Sequence, residues 1–259
     1  VKGEAVAIIP ARFNSTRLPG KPLLPLDQIP MIMHVVERAL RASLVSQAIV
    51  ATDDHRILDA VQKHGGEARM TSALAQSGTD RIAEVARSLP DSIIVNVQGD
   101  EPLIEPSTID AAIEALISDT EAHISTTSEP ITSVEDVFNP GVVKVVTDSR
   151  SMALYFSRSP IPHLRPAPGL TLEESLEGDA TLLAHFRKHS GLYAYRGDFL
   201  QKFTLLPQSR LEKLESLEQL RALENGFRIR VVEVAHRSIG VDTEQDYLKV
   251  KKMIEGEQL

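Results

Sequence analysis

Ala5-Val6-Ala7-Ile8-Ile9 runs into Pro10-Ala11-Arg12-Phe13-Asn14-Ser15-Thr16-Arg17-Leu18-Pro19-Gly20-Lys21-Pro22-Leu23, and this stretch governs the reading of the whole chain. A compact apolar run ending at a proline has the character of a strand buried on both faces. The polar segment behind it carries a glycine and three cations, and Met31 to Leu40 then repeats its apolar positions near helical spacing. The order is strand, loop, helix. Hydroxyl donors together with Arg12, Arg17 and Lys21 can surround phosphate oxygens, so the loop is a candidate nucleotide-triphosphate site; a solvated structural turn is the competing reading. Its spacing is neither that of a P-loop nor that of a dinucleotide fingerprint.

Working outward, the alternation repeats. Ala48 to Thr52 reads as a second buried strand before the Asp53-Asp54 turn, and Ile57, Leu58 and Val61 as the inward face of a helix. A helix near Arg81 to Leu89, a strand over Ser92 to Gln98 and a helix from Pro106 towards Ser118 follow. Repeated strand–helix units predict an α/β fold, a mostly parallel sheet flanked by helices with its ligand crevice beyond the strand carboxyl ends. Strand character over Thr120 to Thr132, Val142 to Val146 and Met152 to Phe156 predicts a smaller inserted antiparallel region. Ser159 to Asp179, with Pro160, Pro162, Pro166, Pro168 and Gly169, reads as an exposed connection or subdomain loop rather than a central strand, because proline fixes φ and interrupts pairing. Strand over Gly191 to Tyr195, helix over Leu214 to Asn225, strand over Arg228 to Val234 and a last helix holding Tyr247 and Val250 complete the pattern. The expected organisation is a single domain over 1–259, with the smaller region at approximately 130–200.

Bulk properties narrow the function classes. The 259 residues suffice for a substantial core. With 28 Lys and Arg against 36 Asp and Glu, the net charge of −8 gives little support to a nucleic-acid or anionic-membrane surface. The absence of cysteine excludes disulfides, thiolate metal sites and cysteine nucleophiles. No apolar run is long enough for a membrane-spanning helix, and the expectation is a soluble, cytoplasmic protein without stable membrane insertion.

Chemistry gathers at three further places. In Val95-Asn96-Val97-Gln98-Gly99-Asp100-Glu101-Pro102 a strand delivers Asp100 to the sheet edge, and its carboxylate is a hard oxygen ligand for Mg2+; a surface turn is the alternative. Asp242 in Gly240-Val241-Asp242-Thr243 is its proposed partner, or else the N-cap of the last helix. Thr71, Ser77, Gly78, Thr79, Asp80 and Arg81 form either a segment facing a base or sugar, with Arg81 neutralising an anion, or an ordinary capped turn. His185 and His189 have no zinc-ligand set around them.

These separated motifs resemble the 3-deoxy-D-manno-octulosonate (Kdo) cytidylyltransferase family. The resemblance extends through Leu154 to Pro162, His189 to Arg196, Leu214 to Arg221 and Gly240 to Thr243, so it spans almost the whole chain. It implies a nucleotidyltransferase-like fold and transfer of CMP from CTP to the anomeric 2-hydroxyl of Kdo, giving CMP-Kdo and pyrophosphate for lipopolysaccharide biosynthesis. By matched motif it implies Arg12, Lys21, Asp100 and Asp242 in catalysis, with Mg2+ on Asp100 and Asp242. Nucleotide contacts are implied at Ala11, Arg12, Ser15, Lys21, Met70, Thr71, Ser77 and Gly78. Sugar contacts are implied at Gln98, Arg158, His189, Tyr193, Glu218 and Gln219, and a homodimer through the smaller region. Three features depart from the family pattern: Ala75 stands where many relatives carry a histidine, Leu26 to Pro30 replaces a Gly-Lys-Pro approach, and the Ser159 to Asp179 stretch is enlarged. They keep CMP activation of 8-amino-Kdo or another acidic sugar in view, and a catalytically inactive sugar-nucleotide binding protein is the non-enzyme alternative.

Overall fold

The computed structural model describes residues 5–14, 17–89, 92–235 and 239–256. In chain order the strands are β1 (Ala5–Ala11), β2 (Pro25–Leu26), β3 (Ile29–Pro30), β4 (Val45–Thr52), β5 (Glu67–Met70), β6 (Ile93–Asn96), β7 (Ile124–Pro130), β8 (Lys144–Thr147), β9 (Ala153–Ser157), β10 (Arg187–Arg196) and β11 (Ile229–Glu233). The helices are α1 (Met31–Arg41), α2 (His55–Lys63), α3 (Gly78–Ala86), α4 (Pro106–Ser118), α5 (Val134–Phe138), α6 (Leu172–Gly178), α7 (Gly197–Leu205), α8 (Arg210–Glu215), α9 (Gln219–Glu224) and α10 (Glu244–Glu255). The chain divides into two compact units, one of residues 1–114, 192–205 and 238–259, the other of 115–191 and 206–237. Strand β10 belongs to both.

In the first unit β1 pairs in parallel with β4 on one side and with β6 on the other, and β5 extends the sheet in parallel beyond β4. The chain therefore builds outward from β1 to β4 and β5, then returns to the opposite side of β1. That reversal makes the gap beyond the carboxyl ends of β1 and β6 the switch point where an open α/β sheet offers a crevice. Arg12 follows β1 and Gln98 to Asp100 follow β6, so the sequence's two best motifs emerge at that edge. Both central strands need apolar side chains on each face, and Ala5, Ala7, Ile8, Ile9, Ile94 and Val95 are buried accordingly. The antiparallel partner of β6 is β10, in register from Tyr193 opposite Asn96.

Between loop and helix, β2 and β3 form a two-residue hairpin whose turn places Asp27 and Gln28 at φ 46° and 63°. Tight hairpins require that left-handed geometry, which glycine or asparagine adopts at lower cost. The short element holds because Leu26 and Met31 are fully buried with Val241 and Val250.

The second unit pairs β11 with β7 in parallel and β8 with β9 antiparallel, with β8 also against β10. The sequence expectation of an exposed connection over Ser159 to Asp179 is modified there. Residues 172–178 form α6, started by a capping box in which Thr171 and Glu174 satisfy each other's amides. Leu176, with Leu183 and Phe186, packs into a core completed by Ile131 and Val137. The expected helix over Leu214 to Asn225 is two helices, because Ser216 sits at φ 52° and breaks α8 from α9. Helix α7 was not expected from the sequence.

Candidate functional site

The first unit brings three of its sequence-derived residues to one point. Lys21 Nζ lies 2.8 Å from Asp100 Oδ2 and 3.2 Å from Asp242 Oδ1, and Arg17 reaches the other Asp242 oxygen at 3.1 Å. Lys21 is mostly buried, its side chain 13% exposed, so its charge interacts through a medium less screening than bulk water. Backbone geometry explains the meeting of distant carboxylates. Val241 is fully buried and its amide donates to the Asp100 carbonyl at 2.9 Å, which leaves the neighbouring Asp242 side chain turned to Lys21. The competing role for Asp242 falls away: Thr243 is the N-cap of α10, its hydroxyl accepting from the Asp246 amide.

Gly99 shows why a close approach is needed beside Asp100. A Cβ there would stand 2.8 Å from the carbonyl oxygen of Pro10 and 3.2 Å from Ile32 Cδ1, so the turn after β6 can lie against the end of β1 only without a side chain. Arg12 is exposed and donates to the Ala75 carbonyl at 2.8 Å. Ala11 is buried at the end of β1. Ser15 lies outside the described residues.

Phe13, next to Arg12, makes a contact that the sequence did not signal. The Arg56 guanidinium carbon lies 3.3 Å over the Phe13 ring centroid, and the guanidinium is fixed in turn by Asp54 through bonds of 2.9 and 2.6 Å. Asp54 also caps α2, and the Arg56 hydrogen bond holds its carboxyl below the usual range. Gly20, at φ 70°, returns the chain over the same ring and donates to the Phe13 carbonyl at 2.9 Å.

The segment from Met70 to Arg81 resolves into a capped helix start. Ser77 and Asp80 form the capping box of α3, Thr71 is buried and Met70 is 40% exposed. A Cβ on Gly78 would make only ordinary contact with the Pro10 ring, at 3.5 Å. The suggestion that Arg81 neutralises a ligand's charge is corrected: Arg81 is fully buried, donating to the Thr71 hydroxyl and to Asp53 at 2.8 Å. A guanidinium so enclosed is compensated by its own carboxylate.

In the second unit, Arg158 spends each edge of its guanidinium on main-chain carbonyls: Nε to Glu215 at 2.8 Å, one terminal nitrogen to Pro140 at 2.9 Å and the other to Ser216 at 3.3 Å. His189 is buried, its Nε2 2.9 Å from the Thr126 hydroxyl and its ring edge-on to Phe156. Burial pushes its pKa down to about 3. Glu218 sits at the N-cap of α9 and Gln219 is its first residue, 6% exposed, with a buried Nε2 that has no hydrogen-bond partner among the described residues. A buried donor without an acceptor is costly and uncommon. Gln98 and Tyr193 lie in the first unit, half-buried. Sequence reading missed Lys144 and Glu215. Lys144 is fully buried with its ammonium on the carbonyls of Asn139, Val142 and Arg158, and burial lowers its pKa.

The model of the cytidylyltransferase family matches residues 6–231. A 3-deoxy-manno-octulosonate cytidylyltransferase from Trichlorobacter lovleyi is 53% identical over 96% of this chain and 98% of its own length. The chain belongs to the 3-deoxy-manno-octulosonate cytidylyltransferase family. A second member, from Geobacter sulfurreducens, is 54% identical over 94% of this chain and 96% of its own. Among solved structures, a CMP:2-keto-3-deoxy-manno-octonic acid synthetase complexed with CTP superimposes with a TM-score of 0.88 at 44% identity, covering 98% of this chain and all of that one. A cytidylyltransferase from Leptospira borgpetersenii, 18% identical with a TM-score of 0.61, shares the fold. The nucleotidyltransferase-like sheet expected from the sequence is thus the fold of the family.

Proposed function

We propose that the protein transfers CMP from CTP to the anomeric 2-hydroxyl of Kdo, producing CMP-Kdo and pyrophosphate. The observation that carries this reading is the Asp100–Lys21–Asp242 cluster at the switch point of a sheet belonging to this family. The sugar oxygen attacks the α-phosphorus, the bond from that phosphorus to the bridging oxygen of the β-phosphate breaks, and pyrophosphate departs opposite the nucleophile while the hydroxyl proton passes to solvent. Arg12 and Lys21 hold the triphosphate and stabilise charge on its oxygens. The two carboxylates suit Mg2+. They are hard oxygen donors already facing a cation. When bound, the ion would supply charge neutralisation on the phosphates and greater acidity to a coordinated hydroxyl.

Recognition of the nucleotide rests on Ala11, Arg12, Ser15, Lys21, Met70, Thr71, Ser77 and Gly78, with the cytidine at Ala11, Ser77 and Gly78. Recognition of the acidic sugar rests on Gln98, Arg158, His189, Tyr193, Glu218 and Gln219, of which Gln219 supplies the unpaired buried amide. His189 serves as a neutral hydrogen-bonding ring; with a pKa of about 3 it is too weak a base to take the sugar's proton. We further propose a homodimer formed through the smaller region at approximately 130–200 and a cytoplasmic location for the lipopolysaccharide pathway; among the described residues no helix is long and apolar enough to cross a membrane.

The test is a panel of CTP, ATP, UTP and GTP against Kdo, 8-amino-Kdo and N-acetylneuraminate, with product masses recorded. Selective CMP-Kdo formation supports the reading; preference for 8-amino-Kdo relocates it to another sugar of the same class; ligand binding without product defines a binding protein.

A further inference from the structure

At the turn between α8 and α9, the Glu215 carboxylate and the carbonyls of Glu215 and Ser216 are bonded to the end of β9. Glu215 Oε1 accepts from the Ser157 hydroxyl at 2.7 Å and lies 3.5 Å from the Tyr155 hydroxyl, while Oε2 accepts from the Arg158 amide at 3.0 Å. The carbonyls of Glu215 and Ser216 receive the Arg158 guanidinium, and the Arg158 carbonyl receives Lys144 Nζ at 2.6 Å. Ser216 adopts φ 52°, a conformation that a serine takes only when its surroundings hold it there. Leu217 is buried immediately afterwards, and α9 opens with Glu218 and Gln219. The placement of those two side chains therefore depends on where residues 215 and 216 are pinned. Burial is the larger cause, and the Glu215 charge the next, of a raised Tyr155 pKa.

We infer that Glu215 is a positioning residue for the sugar acceptor, its carboxylate fixing the turn from which α9 presents Glu218 and Gln219. This deepens the assignment of Gln219 to sugar recognition and rests on it. Glu215 itself need not touch substrate. A side chain that acts this way controls how well the sugar is bound while leaving the nucleotide end of the reaction alone.

Steady-state kinetics of Glu215→Gln, Ser157→Ala, Gln219→Ala and the Glu215→Gln/Gln219→Ala double variant test it, with thermal unfolding of each. Glu215→Gln is expected to raise KM for Kdo about tenfold and to leave KM for CTP within about twofold. Ser157→Ala, which removes one bond to the carboxylate, is expected to give about a threefold rise in the same constant. In the double variant the effect of Glu215→Gln shrinks, because its route through Gln219 is already cut. An unchanged Kdo KM in Glu215→Gln, with Gln219→Ala raising it, overturns the inference alone. An unchanged Kdo KM in Gln219→Ala overturns the underlying sugar assignment. Should Glu215→Gln fail to fold, Ser157→Ala decides on the same criterion: a lowered unfolding temperature with both KM values unmoved marks a purely structural node and contradicts the inference.

Discussion

The amide of Val241 donates to the carbonyl oxygen of Asp100 at 2.9 Å. That backbone bond joins the turn after β6 to the segment before α10, and the burial of Val241 holds it there. The adjacent carboxylates can then face one cation, Lys21, from two sides.

Replacing either carboxylate with its amide tests this arrangement with little change in volume. Asp100→Asn and Asp242→Asn are each expected to lower the rate of pyrophosphate release by about 100-fold or more, the scale of losing charge stabilisation at a transferring phosphoryl group, with the far-ultraviolet spectrum unchanged. Near-normal turnover in either folded variant would remove that residue from the site.

The Arg56 guanidinium stacks on Phe13, the residue after Arg12. Cation–π contacts at exposed positions contribute about 0.5–1 kcal/mol. Arg56→Ala is therefore expected to raise KM for CTP about two- to fivefold without changing KM for the sugar, and Arg56→Lys to give a smaller rise. Equal KM values for CTP in wild type and Arg56→Ala would show that the loop is fixed by other means.

Gly99 faces the Pro10 carbonyl where a Cβ would come within 2.8 Å. Backbone cannot give way there as a flexible side chain would, so Gly99→Ala is expected to cost about 1–3 kcal/mol in denaturant unfolding and to lower turnover, because Asp100 moves with the turn. A variant as stable and active as wild type would contradict the close approach.

Burial of His189 makes stability depend on acidity. Its folded pKa of about 3 lies below the ordinary imidazole value of 6.5, so the unfolded chain takes up the proton first as pH falls. The contribution of the neutral ring is fully present above pH 6.5 and is lost progressively between 6.5 and about 3. His189→Gln is expected to flatten that part of the stability–pH curve, read by urea unfolding at pH 4, 5, 6 and 7. Parallel curves for the two proteins would exclude a neutral buried imidazole.

Much of the central sheet was readable because strands enclosed on both faces must be continuous apolar runs, as Ala5 to Ile9 and Ala48 to Ala51 are. The helix from Pro106 to Ser118 matches its expected bounds, since proline marks its first turn. Other elements depend on contacts that sequence spacing does not carry. The left-handed Ser216 that divides α8 from α9 is no glycine, and the bonds holding it come from Arg158 and Glu215. Helix α6 was masked by the surrounding prolines, although the Thr171–Glu174 capping pair was present to be read. In the site, the motifs located Lys21, Asp100 and Asp242, but Arg81 looked like a ligand cation because its partner, Asp53, belongs to a different strand end. Arg56 and Glu215 act through folded neighbours and left no local pattern.

The most direct measurement follows both products of one reaction: CTP, Kdo and Mg2+ with the enzyme, CMP-Kdo quantified by mass and pyrophosphate by a coupled assay over the same time course. The account predicts that they appear together in equal amounts and that both fall together in Asp100→Asn. Release of pyrophosphate without CMP-Kdo, or of inorganic phosphate with a CDP-sugar, would contradict attack by the sugar oxygen at the α-phosphorus.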